Sequence, residues 1–232
     1  MLFRQFFDKE SFTFTYLLGS NKQNAIIFDP VSNKIEDYLT IIKQLDVNLK
    51  YTIDTHTHAD HISCSGELRN LLECESIAGK ESAVECATTH IEDNQILVLD
   101  DIKVKALYTP GHTDDSYCYL IESSVPKILL TGDTLLIKGT GRTDFQNGDS
   151  EALYNSIFEK LLTLDDCTEI YPGHDYNGFN KSTIWEERKY NPRLNFSSKQ
   201  EFIDFMNNLD LPDPMMMDIA IPLNENCGIE SE

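Results

Sequence analysis

With 232 residues, 41% of them hydrophobic and 25% charged, the chain has the size and composition of one medium-sized globular domain with a real core. Its formal net charge of −20 excludes the Lys- and Arg-driven counterion release that binds phosphate backbones, so no nucleic-acid partner is expected. Apolar runs such as Ile128-Leu129-Leu130 are too short to cross a bilayer, and Asp8 and Glu10 are unlike a leader peptide, so no membrane partner and a cytoplasmic location are expected.

In chain order, "FTFTYLLG" (12–19) and "NAIIFDP" (24–30) are predicted strands joined by a polar turn at Ser20-Asn21-Lys22. "IEDYLTIIKQL" (35–45) carries Ile35, Leu39 and Ile42 on one helical face. "LKYTIDT" (49–55) is a short strand, "ELRNLLE" (67–73) a helix and "ESIAG" (75–79) a strand. From Ile96 the pattern is mainly strands: "ILVLDD", "IKVKALYTP", "SYCYLIES" and "KILLTGD". A helix over about 150–162 precedes the strand "EIYPG", and two further helices are expected over about 182–190 and 199–209. Beyond them runs a Pro- and Met-containing segment in which Met215–Met217 is expected to pack rather than touch a cofactor. Strand-rich halves with intervening helices predict an α/β or α+β fold, two sheets between helices. The six cysteines form no CxxC pair or compact framework, so free thiols are expected, with Cys227 a buried inert one.

Five of the six histidines fall in short segments marked by Gly, Asp or Pro. His90, in "ATTHIED", is the exception and is expected at the surface. "THTHADHI" (55–62) packs His56, His58, Asp60 and His61 into six positions after a strand. Residues two apart in extended backbone project the same way, so His56, His58 and Asp60 can line one side of a cavity, with His61 reached through the next turn. Imidazole and carboxylate suit Zn, Fe or Mn, and such a run has little packing value. "TPGHTDDS", "LLTGDTLL" and "IYPGHDY" add His112, Asp133 and His174, each near a strand end. Each alone is a weak signal; in this order they define a metal site, which a two-zinc hydrolase and a one-iron oxygenase could both use.

"THTHADH", "GHT", "GDTL" and "GHD" together resemble the metallo-β-lactamase superfamily, over nearly the whole chain. The resemblance implies an αββα four-layer sandwich formed by a single domain over 1–232, with a short helical C-terminal extension from about 182. It places His56, His58 and His112 at a first metal position, Asp60, His61 and His174 at a second, and Asp133 between them. Two glutathione-handling branches compete: dinuclear zinc hydroxyacylglutathione hydrolases of glyoxalase II type, and mononuclear iron persulfide dioxygenases, also called sulfur dioxygenases. "LFRQFFDKESFTFTYLLG", "GTGRTDFQNG" (139–148), "YPGHDYNGF" (171–179), "EERKYNPRL" (186–194) and "IPLNENCG" (221–228) look like the second, and the tail is short for the hydrolases' helical domain. Thr140 departs from the pattern, standing where a Cys is common, and Asn226 stands where an Arg often does.

The resemblance to persulfide dioxygenases implies one Fe(II) per chain held by His56, His112 and Asp133, and oxidation of glutathione persulfide by O2 and water to sulfite and glutathione. His58, Asp60, His61 and His174 would then surround the iron ligands, with Asp175 either an acceptor behind them or a turn residue. Arg142 is a candidate handle for a glutathione carboxylate, or else a loop-holding ion pair, and Tyr176 a candidate lining residue. The alternative is the zinc thioesterase; a metal-storage module and a nuclease fit the open His/Asp site and the acidity less well. The oligomeric state is not legible, a homodimer being the commonest form.

Overall fold

Parallel pairing of two neighbouring strands sets where the histidine run leaves the first sheet. Residues 1–212 and 216–229 are described by a computed structural model, and the chain divides into two units. The first comprises Met1–Ile91, Leu97–Lys103 and residues 216–229; the second comprises Glu92–Ile96 and Val104–Pro212.

The first unit holds β1 (Leu2–Phe7), β2 (Phe14–Gly19), β3 (Asn24–Phe28), α1 (Ile35–Gln44), β4 (Asn48–Ile53), α2 (Ser65–Leu72), β5 (Glu75–Gly79) and β6 (Thr89–Ile91). Its sheet runs β1-β2-β3-β4-β5-β6, antiparallel across β1, β2 and β3 and parallel from β3 to β6. α1 forms where the sequence predicts it. Glu36 and Asp37 in its first turn and Lys43 in its last complement the helix dipole. Its Tyr38 and Ile42 pack with Leu17, Ile27, Leu49 and Leu68 into one core. Tyr38 keeps its hydroxyl satisfied inside that core, accepting from the Val31 amide (3.2 Å) and pairing with Thr15 Oγ1 (2.8 Å).

The second unit holds β8 (Ile102–Tyr108) from Val104 onward, which follows β7 (Ile96–Leu99), then β9 (Tyr117–Ile121) and β10 (Ile128–Gly132). Next come β11 (Leu135–Leu136), β12 (Gly139–Thr140), α3 (Ser150–Tyr154), β13 (Glu169–Pro172), β14 (Ser182–Thr183), α4 (Ile184–Tyr190) and α5 (Lys199–Asn207). The sheet order is β14-β13-β10-β9-β8-β7, with β10 and β13 parallel. β9 and β10 are buried at every residue, which is why both read as unbroken apolar runs. The helical run expected over 150–162 starts as α3, capped by Asp149, and continues as a π-helical turn (Asn155–Lys160) and a 3-10 turn (Leu161–Thr163). Phe202 of α5 is fully buried, with the rings of Tyr154, Phe158 and Phe196 at 5.6, 5.9 and 5.7 Å.

One expectation is corrected, and one element adds to the pattern. The tail after α5 contains a further helix, α6 (Met217–Glu225), with Pro222 inside it. Proline is a poor helix residue, so the sequence pattern hid it. Cys86 and Cys227 are disulfide-bonded, with Cα atoms 6.1 Å apart and a sequence separation of 141; neither is the free thiol expected. Only the fold brings such distant positions together. Cys64, Cys74 and Cys118 are free and buried, and Cys167 free and exposed. His90 lies exposed on β6. Met215 lies outside the described residues, and Met216 and Met217 are half-buried. No helix among the described residues is long and apolar enough to cross a membrane.

Phe202→Ala is expected to cost about 3–5 kcal/mol by emptying the centre of the second core. Urea unfolding checks this, and a loss under about 1 kcal/mol would contradict that packing.

Candidate metal centre

Phe28 and Ile53 are register partners in the parallel β3–β4 pair, so the residues that follow them leave the sheet side by side. Asp29 is the first residue after β3; its amide donates to Ile53 O (2.9 Å), and its carboxylate faces the histidine run. Oδ1 accepts from the Thr55 amide (2.7 Å) and from His58 Nε2 (3.0 Å), and Oδ2 accepts from Thr55 Oγ1 (3.1 Å). Thr55 Oγ1 in turn contacts His56 Nδ1 (2.9 Å). The rings of His56, His58 and His61 follow one another at centroid spacings of 4.2 Å. Asp54 completes the support, accepting from Ser63 Oγ (2.9 and 3.0 Å) and Ser65 Oγ (2.7 Å).

These contacts set which histidine nitrogens are engaged and which face the centre. His58 gives its Nε2 to Asp29, and His61 gives its Nδ1 to Asp60 Oδ2 (2.9 Å). His58 Nδ1 and His61 Nε2 are buried and have no hydrogen-bond partner. His58, Asp60 and His61 place one ligand atom each within 4.8 Å of one another. A buried polar atom without a partner costs about 1–3 kcal/mol, and a cation is what two such nitrogens beside a carboxylate would satisfy. The residues therefore fit a metal ion. Burial disfavours the charged imidazolium of His58, but Asp29, Asp60 and Asp54 outweigh it and raise its pKa to about 9. A metal taken up at Nδ1 has to displace that proton.

In the second unit, β10 and β13 play the part of β3 and β4. They are parallel neighbours with Gly132 opposite Pro172, so Asp133 and His174 emerge together. His174 Nδ1 lies 2.7 Å from Asp133 Oδ1. His112 Nδ1 donates to Arg142 O (2.8 Å), which turns Nε2 toward Asp133 Oδ2 at 3.7 Å, too far for a hydrogen bond. The loop carrying Arg142 approaches closely because residue 141 is glycine: a Cβ there would lie 2.2 Å from Asp133 O and 2.9 Å from the His112 ring.

A cavity of about 510 Å³ in this unit is lined by His112, Asp133, Arg142, Tyr176 and Arg193, among others. Arg142 does not present its guanidinium to it. Nε and Nη2 donate to Asp144 (2.6 and 2.7 Å), Nη1 to Pro212 O (2.6 Å) and Nη2 to Leu211 O (3.2 Å), and the group lies over Phe145. The Arg142 hydrogen bond in turn holds the Asp144 carboxyl below its ordinary range. Asp175 Oδ2 accepts from the amides of Asn177, Gly178 and Phe179, which makes it the organiser of its own turn. Tyr176 is 63% exposed, with its ring parallel to that of His174. Arg193, passed over in the sequence, is half-buried in the cavity wall, with Nη1 3.8 Å from Met206 Sδ and the guanidinium over Phe205; burial lowers its pKa. Its position is set by Asn191, which caps the turn at Pro192 by accepting from the Arg193 amide (2.9 Å). Asp29 was also passed over, its only sequence signal being its place directly after an apolar strand.

Residues 8–174 match the sequence profile of the Metallo-beta-lactamase superfamily. The chain is 42% identical over 233 residues to "Persulfide dioxygenase ETHE1, mitochondrial" of Homo sapiens, covering 100% of this chain and 90% of that protein. The crystal structure of ETHE1 from Myxococcus xanthus aligns with a TM-score of 0.95 at 42% identity, covering 99% of this chain and 100% of that one. The "Probable hydroxyacylglutathione hydrolase glo2" of Schizosaccharomyces pombe is 31% identical over 196 residues, covering 81% of this chain and 75% of that protein. The chain thus belongs to the metallo-β-lactamase superfamily and has its αββα fold. Within that superfamily the whole-chain match lies with the persulfide dioxygenases, a family of oxidoreductases, and this chain is one of them.

Asp29→Asn is expected to lower metal affinity about 10- to 100-fold by releasing His58 and Thr55. Competition against a coloured chelator would read the loss, with circular dichroism confirming the fold; unchanged affinity would remove Asp29 from its orienting role.

Proposed function

We propose that the chain oxidises glutathione persulfide with O2 and water, yielding glutathione, sulfite and two protons, at one Fe(II) held by His56, His112 and Asp133. Whole-chain similarity at 42% identity to persulfide dioxygenases carries this assignment. Two histidines and one carboxylate leave positions open for both reactants. When bound, Fe(II) supplies the redox chemistry with O2 that zinc lacks.

The other tasks fall to the chain itself. Arg193 offers a guanidinium to a glutathione carboxylate within a cavity of about 510 Å³, inside the range of about 300–1,000 Å³ usual for small-molecule sites. Tyr176 stands at the exposed edge of the same cavity. Anchoring the peptide there holds its sulfur end beside His112 and Asp133, which makes the encounter effectively intramolecular. Arg142 serves by position: its guanidinium fixes the loop, and its carbonyl fixes the His112 tautomer. His58, Asp60, His61 and His174 orient the ligands and bind water around them.

A second assignment, a dinuclear zinc hydroxyacylglutathione hydrolase, is favoured by one observation. The partnerless nitrogens of His58 and His61 stand beside Asp60 as a second metal position would require.

The two are separated by metal analysis with O2 uptake on glutathione persulfide, beside hydrolysis of S-lactoylglutathione. Roughly one iron per chain with sulfite formed is the expected result; two zincs, no O2 uptake and rapid thioester cleavage would establish the hydrolase instead. His112→Ala is expected to lose iron and activity together, whereas His174→Ala keeps most of its iron; equal loss would contradict the one-metal assignment. Arg193→Ala is expected to raise KM for glutathione persulfide about 10- to 100-fold with little change in kcat. A fall in kcat at unchanged KM would place Arg193 outside the binding step.

A further inference from the structure

The Cys86–Cys227 disulfide lies outside the metal centre, yet the segment that bears Cys227 grips the histidine loop. Asn224 is buried in α6 and donates through Nδ2 to His58 O and His61 O, 2.8 Å each, while its Oδ1 accepts from the Ser63 amide, also at 2.8 Å. Three residues further on, Cys227 O accepts from the Gly66 amide (3.1 Å). Contact there is so close that a Cβ on Gly66 would lie 2.7 Å from Cys227 O and 2.8 Å from Cys227 Cβ. Cys227 itself has φ +57°, a left-handed backbone that a residue with a side chain keeps only when its surroundings hold it. α6 is nine residues long with a proline inside, too short to persist on its own propensity. Its hold on the loop therefore depends on tertiary anchors, and the disulfide is the covalent one.

The two sulfurs are not equivalent. Cys86 is half-buried in the segment between β5 and β6, whereas Cys227 is 3% exposed. Arg69 of α2 donates through Nη1 to Cys86 O (2.6 Å) and Ser76 Oγ (3.2 Å), and the same nitrogen lies 3.9 Å from Cys227 Sγ. A guanidinium at that distance stabilises a thiolate on Cys227, which makes Cys227 the better leaving group and Cys86 the sulfur to attack.

We propose that Cys86–Cys227 is a thiol-exchange site whose opening by a small thiol of the glutathione class loosens the loop carrying His56, His58 and His61. A first thiolate attacks Cys86 Sγ. A mixed disulfide forms at Cys86, the protein S–S bond breaks, and its electron pair passes to Cys227 Sγ beside Arg69. A second thiolate attacks the small-molecule sulfur of the mixed disulfide and releases Cys86 as a thiolate. The protein disulfide gains two electrons, and two small thiols become one small-molecule disulfide. With the bond open, Asn224 and the Gly66–Cys227 contact lose their covalent backing, and the histidine loop gains freedom. Neither the identity of the metal nor that of the substrate enters this inference.

The test compares amide hydrogen exchange over residues 56–66 in the full-length protein as isolated and after treatment with glutathione, with alkylation and peptide mapping of both cysteines. Exchange at Ser63 and Gly66 is expected to rise about tenfold on reduction, and metal loss to a chelator to quicken with it. The first adduct is expected at Cys86. Cys86→Ser is expected to show the fast exchange without thiol and no further response to it, and Arg69→Gln to slow the opening of the disulfide. Equal exchange in the two redox states, a first adduct at Cys227, or alkylation of both cysteines before any reductant is added would each overturn the proposal.

Discussion

The carboxylate of Asp29 accepts from the Thr55 amide, the Thr55 hydroxyl and His58 at once, and so ties the exit of one strand to the exit of its parallel neighbour. Without that tie the start of the run from Thr55 to His61 would lose its anchor to the neighbouring strand. With it, His58 Nε2 has a fixed acceptor, and the His58 ring sits 4.2 Å from those of His56 and His61. Parallel pairing is the underlying cause. It sends two chain segments out of the sheet in the same direction, and β10 with β13 does the same for Asp133 and His174. Ligands set at the ends of strands inherit the rigidity of the sheet, which is the preorganisation a metal site needs.

Electrostatics divide the molecule between surface and cavity. A chain of net charge −20 gives no long-range attraction to an anion, so any anionic substrate would need a single, placed cation. Arg142 and Arg193 both border the cavity, but they differ in what remains of their donors. The guanidinium of Arg142 spends four of its five N–H donors on Asp144 and two carbonyls, while Arg193 meets a thioether and an aromatic face. Sulfur and ring contacts satisfy a guanidinium poorly, which leaves Arg193 the group with the most to gain from a carboxylate.

Much of this was legible in the sequence. Strands that are buried throughout, such as β9 and β10, announce themselves as apolar runs, and α1 by its spacing. The candidate cluster stood out because His and Asp grouped at strand ends have no competing structural use. Three things were not. α6 contains a proline, and helix rules read that as a break. The Cys86–Cys227 pair spans 141 positions, and no local spacing encodes such a partner. The roles of Asp29, Arg142, Asp175 and Arg193 depend on which donors are already spent, and that is decided only when the loops have closed. Arg142 and Asp175 carried the more suggestive motifs, yet both spend their polar groups on their own loops.

The clamp from Asn224 to His58 spans 166 residues. A chain made from its N-terminus has its strands, its histidines and most of its helices in hand long before α6 leaves the ribosome. The histidine loop therefore stays without this restraint until α6 has been made. Closure of this loop waits on a segment 166 positions downstream, and a chain stopped short of α6 carries the histidines without the grip.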